Sequence, residues 1–330
     1  MLLTGLGASL ALAEAQAQPL TQEVEPLPIK ALPITSFQPS DPGRTRFGQL
    51  IFRGGLVLTA PAREFGGFSG LWRSANGKSL VAVTDRAHWL SADLVHDNKG
   101  MLSAVENAVL SPMLNGAGRP LSRTRSFDTE ALCIDGGVAH VGIERTHEIM
   151  RFDWARRGVM SRAVSVPVPP EIKRLPSNRS IEALGIAPPS SPVAGALVAL
   201  AERSGGEGEP TAGFIIGGPR PGLMLYQRKD GYDVTDLAFL PGGDMLVLER
   251  WYKPWRGVGM RIRRVPGASI IPGAILDGPM LIDADLAQEI DNMEGLAVHL
   301  DNGRTILTMI SDDNFSGLQR TVLLEFELAA

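Results

Sequence analysis

The sequence contains a single cysteine, Cys133, among 330 residues. One cysteine excludes an intramolecular disulfide and any cluster of cysteine metal ligands. Cys133 lies in the apolar run of residues 131–134, where we expect a small buried hydrophobe rather than a nucleophile. The five histidines follow no recognised zinc-motif spacing, so the sequence disfavours a zinc site.

The sequence also lacks a long basic run. It has 32 Lys and Arg against 36 Asp and Glu, which gives a formal net charge of -4. Without a cationic stretch to neutralise a phosphate backbone, nucleic acid is excluded as an expected partner. No internal apolar run reaches the ~18 residues that a membrane-spanning helix requires, so the sequence predicts no membrane span.

The N-terminus has the pattern of an export signal. An apolar stretch, Leu2 to Ala13, precedes Ala15-Gln16-Ala17, which matches the small-x-small pattern of a cleavage site. We interpret residues 1–17 as a signal peptide and expect a periplasmic or secreted protein, although no Lys or Arg precedes the apolar stretch. An apolar N-terminal helix is the alternative. Residues 18–44 are rich in proline, which predicts an extended surface leader, and residues 45–330 form the predicted domain.

Long amphipathic helical patterns are scarce, and short β-type runs broken by Gly, Pro, Asn and Asp dominate the remaining chain. Five segments align with one another. Each has a polar or acidic residue, a small-apolar pair, a turn and a second apolar strand that ends near an acidic residue. The five anchor residues are Ser69, Glu130, Glu182, Asp236 and Glu294.

The anchors are separated by 52 to 61 residues, which accommodates about four strands with their loops, the size of a propeller blade. Isolated hairpins are marginal in water, so five similar ones favour closure around an axis. The sequence therefore predicts an all-β protein, a β-propeller of five to six blades. We expect N-terminal strands at residues 45–59 to complete one blade with the C-terminal strand.

Equivalent residues of a propeller meet at its axis. The alignment predicts one tier of carboxylates at Glu130, Glu182, Asp236 and Glu294. It predicts a second tier at Asp85, Glu144, Glu202, Glu249 and Asp312 with Asp313. So many carboxylates need compensation in a partly buried channel. Two counter-charges are open: the arginines that follow the second tier (Arg86, Arg145, Arg203 and Arg250), or Ca²⁺ held by oxygen ligands from several blades.

Two further features of the sequence, the segment of residues 249–256 and His147, each have a structural and a functional interpretation. Residues 249–256 concentrate cations and aromatics, which suits either a rim for an anionic or ring-bearing ligand or an aromatic-capped loop packed on the propeller. His147 follows Glu144-Arg145 and is either an acid or base or a solvated loop residue.

The repeat motifs resemble the phytase-like family, also described as esterase-like activity of phytase. The resemblance covers roughly residues 45–328 and rests on the motifs at residues 68–71, 83–86, 128–132, 180–184, 248–250, 292–296 and 311–314. It implies a β-propeller, export, and hydrolysis of phosphate or carboxylic esters.

The resemblance also implies roles for the two tiers. Ca²⁺ would be held by Glu130, Glu182, Asp236 and Glu294, with Asp85 and Asp312 as further metal candidates. The acid and arginine pairs would be the catalytic candidates, with the arginines steadying the developing charge. These pairs are Glu144 with Arg145, Glu202 with Arg203 and Glu249 with Arg250.

Three functions stay open at this point. The first is a Ca²⁺-dependent phosphoester hydrolase, the second is a lactonase-like enzyme that acts on a carboxylic ester with the same metal, and the third is a non-catalytic periplasmic binding or scaffold propeller. In the third, the acid-arginine ring is structural. We expect a monomer and a small anionic or ester substrate.

Overall fold

The computed structural model describes residues 26–253 and 255–329. The predicted signal peptide, residues 1–17, lies outside these residues, and so does the beginning of the predicted leader. No helix in the described part of the chain is long and apolar enough to cross a membrane.

The first three strands of the described residues belong to the same sheet as the C-terminal strand. They are β1 (Lys30–Ile34), β2 (Arg46–Phe47) and β3 (Leu50–Thr59). Strand β1 pairs antiparallel with β3. Phe37, in the segment that connects β1 to β2, is fully buried. The propeller therefore includes residues before Thr45, earlier than the sequence predicts, because part of the proline-rich segment forms an edge strand.

Blades 1 and 2 are four-stranded meanders. Blade 1 contains β4 (Phe68–Arg73), β5 (Ser79–Thr84), β6 (His88–His96) and β7 (Leu102–Pro112). Blade 2 contains β8 (Thr129–Asp135), β9 (Val138–Ile143), β10 (Glu148–Asp153) and β11 (Val164–Val166). One short helix, α1 (Trp154–Arg157), follows β10, and single 3₁₀ turns lie at Leu121–Arg123, Gly158–Met160, Ile172–Arg174 and Gly267–Ser269.

In blades 3 and 4 the strands do not follow one another in simple chain order. Blade 3 contains β12 (Ile181–Ile186), β13 (Leu197–Ala201), β14 (Thr211–Ile216) and β15 (Gly222–Tyr226). Blade 4 contains β16 (Asp233–Phe239), β17 (Met245–Lys253) and β18 (Gly257–Val265). The chain then adds β19 (Ile275–Leu276) in parallel to β15 of blade 3 and returns to blade 4 as β20 (Met280–Asp285).

Blade 5 closes the ring. It contains β21 (Asn292–Asp301), β22 (Arg304–Asp312) and β23 (Thr321–Leu328), and β23 pairs antiparallel with β3 from the beginning of the chain. The predicted closure by N-terminal and C-terminal strands is confirmed. The described residues form five blades, at the lower end of the predicted range.

The innermost strands β4, β8, β12, β16 and β21 contact one another in ring order around the axis. They approach so closely that two blades need glycine there. A Cβ atom on Gly70 would lie 2.7 Å from the backbone nitrogen of Leu132, and one on Gly295 would lie 2.8 Å from Cβ of Leu71. Apolar side chains fill the spaces between neighbouring blades in five buried clusters.

Candidate functional site

Each innermost strand contains a register shift near its beginning, so that one residue per strand is left out of the pairing. Such a bulge turns a side chain away from the regular alternation and often marks a functional site. The five bulged residues form the first ring: Ser69, Glu130, Glu182, Thr235 and Glu294.

The second strand of each blade ends beside this ring. The last residue before each bulge pairs with a residue of the second strand, and the next residue of that second strand belongs to the second ring. The second ring consists of Asp85, Glu144, Glu202, Arg250 and Asp312. We call the two rings together the acidic cluster. It lies at one end of the axis and contains seven carboxylates and one guanidinium.

The predicted tiers differ from these rings in blade 4. The pairing of Val234 with Glu249 and of Asp236 with Leu248 makes Thr235 the bulged residue and Arg250 the member of the second ring. The sequence alignment matched acid to acid and was therefore shifted by one residue in this blade. Because alternate residues of a strand point to opposite faces, that shift removes both Asp236 and Glu249 from the rings.

Glu249 instead anchors the inside of blade 4. Its fully buried carboxylate accepts a hydrogen bond from Arg261 Nε at 2.6 Å and lies 3.4 Å from Arg263 NH1. Burial raises the pKa of Glu249, and the two arginines act against that rise. This carboxylate is neutralised within its own sheet and contacts no member of the acidic cluster.

Asp236 occupies the position that is Gly or Ala in the other four blades. It is fully buried, and its carboxylate accepts the backbone N–H groups of Leu237 at 2.8 Å and Leu296 at 2.7 Å. Burial nevertheless raises its pKa well above the ordinary value. Asp236 thus joins blade 4 to blade 5 through the backbone and is held away from the first ring.

Burial raises the pKa of every carboxyl group in the acidic cluster. The pKa of Asp85 rises to about 7 and that of Asp312 to about 8, in each case through burial first and then through a neighbouring carboxylate. The pKa values of Glu130 and Glu182 are raised well above the ordinary value, first by burial and then by Glu294 in the case of Glu130 and by Glu130 in the case of Glu182. Glu144, Glu202 and Glu294 are raised for the same reason. The cluster therefore favours protons or bound cations.

Arg250 supplies the internal counter-charge on one side of the cluster. Its Nε atom lies 3.0 Å from Glu294 Oε1, and its NH2 atom lies 3.7 Å from Glu202 Oε1. Burial lowers the pKa of Arg250, but Glu294, Glu202 and Glu182 together raise it above the usual value. On the side of the cluster formed by blades 3 and 5, the negative charge of the carboxylates is thus partly neutralised by Arg250.

Among the described residues, no such buried cation lies on the opposite side of the cluster. Oxygen atoms of Asp128, Glu130 and Glu144 lie within 4.8 Å of one another, close enough to ligate one metal ion. The nearest cationic partner in the described part of the chain is Arg145, 3.5 Å from Asp128 and about half exposed. These three carboxylates, the acid triad, match the oxygen ligands that Ca²⁺ prefers.

Asp128 is a site residue that the sequence analysis missed. It lies two residues before the bulged Glu130, in the loop that enters β8. Its presence in the motif Asp128-Thr129-Glu130 was the available signal, but the residues that the sequence alignment matched to it, Gly67, Ser180, Val234 and Asn292, are not acidic, so the repeat alignment did not select it.

The predicted catalytic arginines lie in different environments. Arg145 stacks on Phe127 with its guanidinium carbon 4.6 Å from the ring centre, at the rim of the cluster. Arg203 donates from Nε to Asp233 at 2.8 Å, and Asp233 is also paired with buried Arg228. Of the three predicted arginines, only Arg250 therefore reaches into the rings.

His147 touches the cluster indirectly. Its Nδ1 atom lies 2.8 Å from the Ser180 hydroxyl, and the Ser180 backbone N–H donates to Glu144 Oε1 at 3.4 Å. Burial, followed by the charge of Lys173, lowers the pKa of His147. A neutral imidazole at this edge positions the loop that holds Glu144.

Below the first ring, five leucines separate the acidic cluster from the other end of the axis. Each follows the bulge by two residues, and each is almost completely buried: Leu71, Leu132, Leu184, Leu237 and Leu296. Beyond them opens a mainly apolar cavity of about 670 Å³, lined by residues that include Trp72, Cys133 and Phe239. Burial raises the pKa of the Cys133 thiol, which is therefore neutral at neutral pH.

Comparison with known proteins gives one family match. The family model Phytase-like, esterase-like activity of phytase, matches residues 63–315. No curated protein sequence matches the chain significantly.

Solved structures with similar chain traces have low sequence identity. The α-L-arabinofuranosidase PaAbf62A from Podospora anserina, in complex with cellotriose, is 12% identical with a TM-score of 0.49, covering 85% of this chain and 97% of its own. The PQQ-bound aldose sugar dehydrogenase from Streptomyces coelicolor is 11% identical with a TM-score of 0.40, covering 83% and 97%. At these values neither match bears on the activity of this chain.

Proposed function

Because the chain belongs to the phytase-like family, esterase-like activity of phytase, we propose that it hydrolyses phosphate or carboxylic esters at the acidic cluster with the help of Ca²⁺. The substrate is a small anionic or ester-bearing molecule. The observation that carries the proposal is the acid triad, in which three carboxylates converge without a buried counter-cation among the described residues.

The donor set fits a hard cation. Asp128, Glu130 and Glu144 offer only carboxylate oxygens, as Ca²⁺ prefers, whereas zinc sites use histidine and cysteine. Asp85 is close enough to Asp128 for the two charges to affect each other, so it is the next candidate ligand. Bound there, Ca²⁺ supplies charge that polarises an ester oxygen and makes a water more acidic.

The chain's own residues supply the remaining chemistry. Arg250, held by Glu202 and Glu294, is directed at the centre of the cluster and binds an anionic group of the substrate or steadies the charge that develops on it. Burial and Glu294 raise the pKa of Asp312 to about 8, which suits a group that donates a proton to the leaving oxygen. The leucines below the first ring exclude water from that side.

Export to the periplasm or beyond belongs to the same proposal and is supported by the apolar stretch and small-x-small pattern at residues 1–17. A monomer is proposed as well.

The second candidate is a non-catalytic binding or scaffold propeller. The favouring observation is that Arg250 of blade 4 contacts carboxylates of blades 3 and 5, which is the geometry of a structural clamp. Such a clamp stabilises the ring without any substrate.

One experiment separates the two. Thermal unfolding is recorded with Ca²⁺ and with chelator, and hydrolysis of p-nitrophenyl phosphate and p-nitrophenyl acetate is measured under both conditions. If the protein is a hydrolase, Ca²⁺ raises the midpoint of thermal unfolding and is required for turnover. Glu130→Gln should abolish both effects of Ca²⁺. Glu327→Gln, which changes a part-buried glutamate outside the cluster, should keep them. If Ca²⁺ has no effect on the midpoint and neither ester is hydrolysed, the result supports the non-catalytic binding or scaffold propeller.

A further inference from the structure

Three loops at the same end of the propeller as the acidic cluster expose large apolar side chains. Tyr252 and Trp255 lie at the hairpin between β17 and β18, and their side chains are 62% and 85% exposed. Leu286, between β20 and β21, is 59% exposed, and Leu318, between β22 and β23, is 96% exposed. We call these four residues the apolar ridge.

The topology places the ridge beside the acidic cluster. Strand β17 runs from the second-ring residue Arg250 directly into the hairpin, and β22 runs from Asp312 into the loop that carries Leu318. The loop that carries Leu286 leads into β21, whose bulge holds Glu294. All three loops therefore leave the propeller at the cluster end.

The loops are connected to one another. Leu286 packs against Gly257 at the base of the hairpin, where a Cβ atom would collide with its side chain. Asp291, farther along the same loop, accepts hydrogen bonds from Gln319 Nε2 at 3.3 Å and from the Arg320 backbone N–H at 3.0 Å. The loop of Leu286 thus contacts the hairpin, and farther along it is hydrogen-bonded to the loop that carries Leu318.

Two cations flank the exposed aromatics. The Arg256 guanidinium lies 4.7 Å from the Trp251 ring centre, and the Lys253 ammonium lies 5.9 Å from it. In residues 26–253 and 255–329, no carboxylate forms an ion pair with either one. Trp251 itself is buried against Tyr232, so the platform that holds the cations is fixed.

We propose that the apolar ridge docks the propeller on an anionic lipid surface. The exposed side chains lie on loops at one end of the propeller, so that they are available to enter a lipid interface from the same side. Tryptophan and tyrosine favour the boundary between lipid chains and water, because the ring is apolar and the N–H or O–H group stays hydrated. Lys253 and Arg256 complement anionic headgroups. The docking is independent of whether the cluster hydrolyses esters.

The test is sedimentation of the full chain with vesicles of phosphatidylcholine alone and of phosphatidylcholine mixed with phosphatidylglycerol. We expect binding to the anionic vesicles that is weakened at least tenfold by Trp255→Ser and again by Leu318→Ser. Ile275→Ser is the matched control, since Ile275 is 59% exposed on β19, at the outer edge of blade 3, and we expect no change from it.

The comparison among variants decides, because the apolar residues 2–13 contribute equally to all of them. Absence of binding to anionic vesicles overturns the proposal, and so does binding that neither ridge variant weakens. Light scattering on the same samples supplies the remaining outcome: a dimer that Trp255→Ser dissociates would show that the ridge binds a second copy of the chain instead.

Discussion

The Nε atom of Arg250 lies 3.0 Å from Oε1 of Glu294, so a guanidinium from blade 4 reaches a carboxylate of blade 5 across the boundary between the blades. In the other four blades the residue equivalent to Arg250 is an acid. One blade thus supplies positive charge to part of the cluster, and this asymmetry is the basis for proposing a cation site at the acid triad on the far side.

We expect Arg250→Gln to lower both stability and turnover. Without the guanidinium, Glu294 and Glu202 lose their nearest positive charge, and the loss should be larger at about pH 8 than at about pH 5, because a larger fraction of the carboxyl groups is ionised at the higher pH. Thermal midpoints and ester hydrolysis at the two pH values measure this. Arg264→Gln is the control, since Arg264 pairs with Asp244 on an exposed surface. Equal effects of the two substitutions would contradict the assignment.

The proposed cation site contains Asp128, whereas the sequence analysis selected Asp236, and two variants distinguish the two ligand sets. We expect Asp128→Asn to abolish most of the Ca²⁺-dependent rise in thermal midpoint, because it removes one of three converging ligands. Asp236→Asn should lower the midpoint with and without Ca²⁺ by similar amounts, because Asp236 binds backbone N–H groups. If Asp236→Asn instead removes the Ca²⁺ response, the sequence-based ligand set is the right one.

Glu249→Gln should lower the free energy of unfolding by about 3 kcal/mol, since removing one partner of a buried ion pair is strongly destabilising. The guanidiniums of Arg261 and Arg263 would lose their buried carboxylate and keep only the more exposed partners Asp230 and Asp277. Denaturant unfolding measures the loss. Under conditions where the variant is folded, Ca²⁺-dependent stabilisation should equal that of the unmodified protein, and its disappearance would place Glu249 back in the site.

Stability without divalent cations should fall as the pH rises from about 5 to about 8. Asp85 and Asp312 have pKa values of about 7 and 8 in the folded chain, above the ordinary 3.8. In that window the folded state keeps protons that the unfolded state has released, so unfolding becomes more favourable as the pH rises. Thermal unfolding in chelator across this range measures the slope.

Two changes should flatten that slope. Ca²⁺ favours the ionised carboxylates and so compensates at high pH, and Asp312→Asn removes one of the titrating groups. A midpoint that rises with pH in chelator would contradict the raised pKa values.

The repeat motif was enough to predict the propeller, its closure and four of the five residues in the first ring. Glu130, Glu182 and Glu294 each stand before a small residue and a leucine, and Ser69 keeps the same pattern with a hydroxyl. Blade 4 has Thr235-Asp236-Leu237 there, and an alignment that matches acids places the wrong residue on the ring. The hydrogen-bond register alone decides which side chain faces the axis, because neighbours in a strand face opposite sides.

The sequence by itself determined that short acid-ended hairpins recur five times, that leucines follow them, and that the first and last strands belong to one sheet. Local patterns encode these features, since alternation, turns and period are properties of neighbouring residues. Only the tertiary structure decided that Arg250 joins the carboxylates, that Glu249 leaves them and that Asp128 meets Glu130 and Glu144. Those relations depend on bulges and on closure of the ring, which bring together residues of different blades.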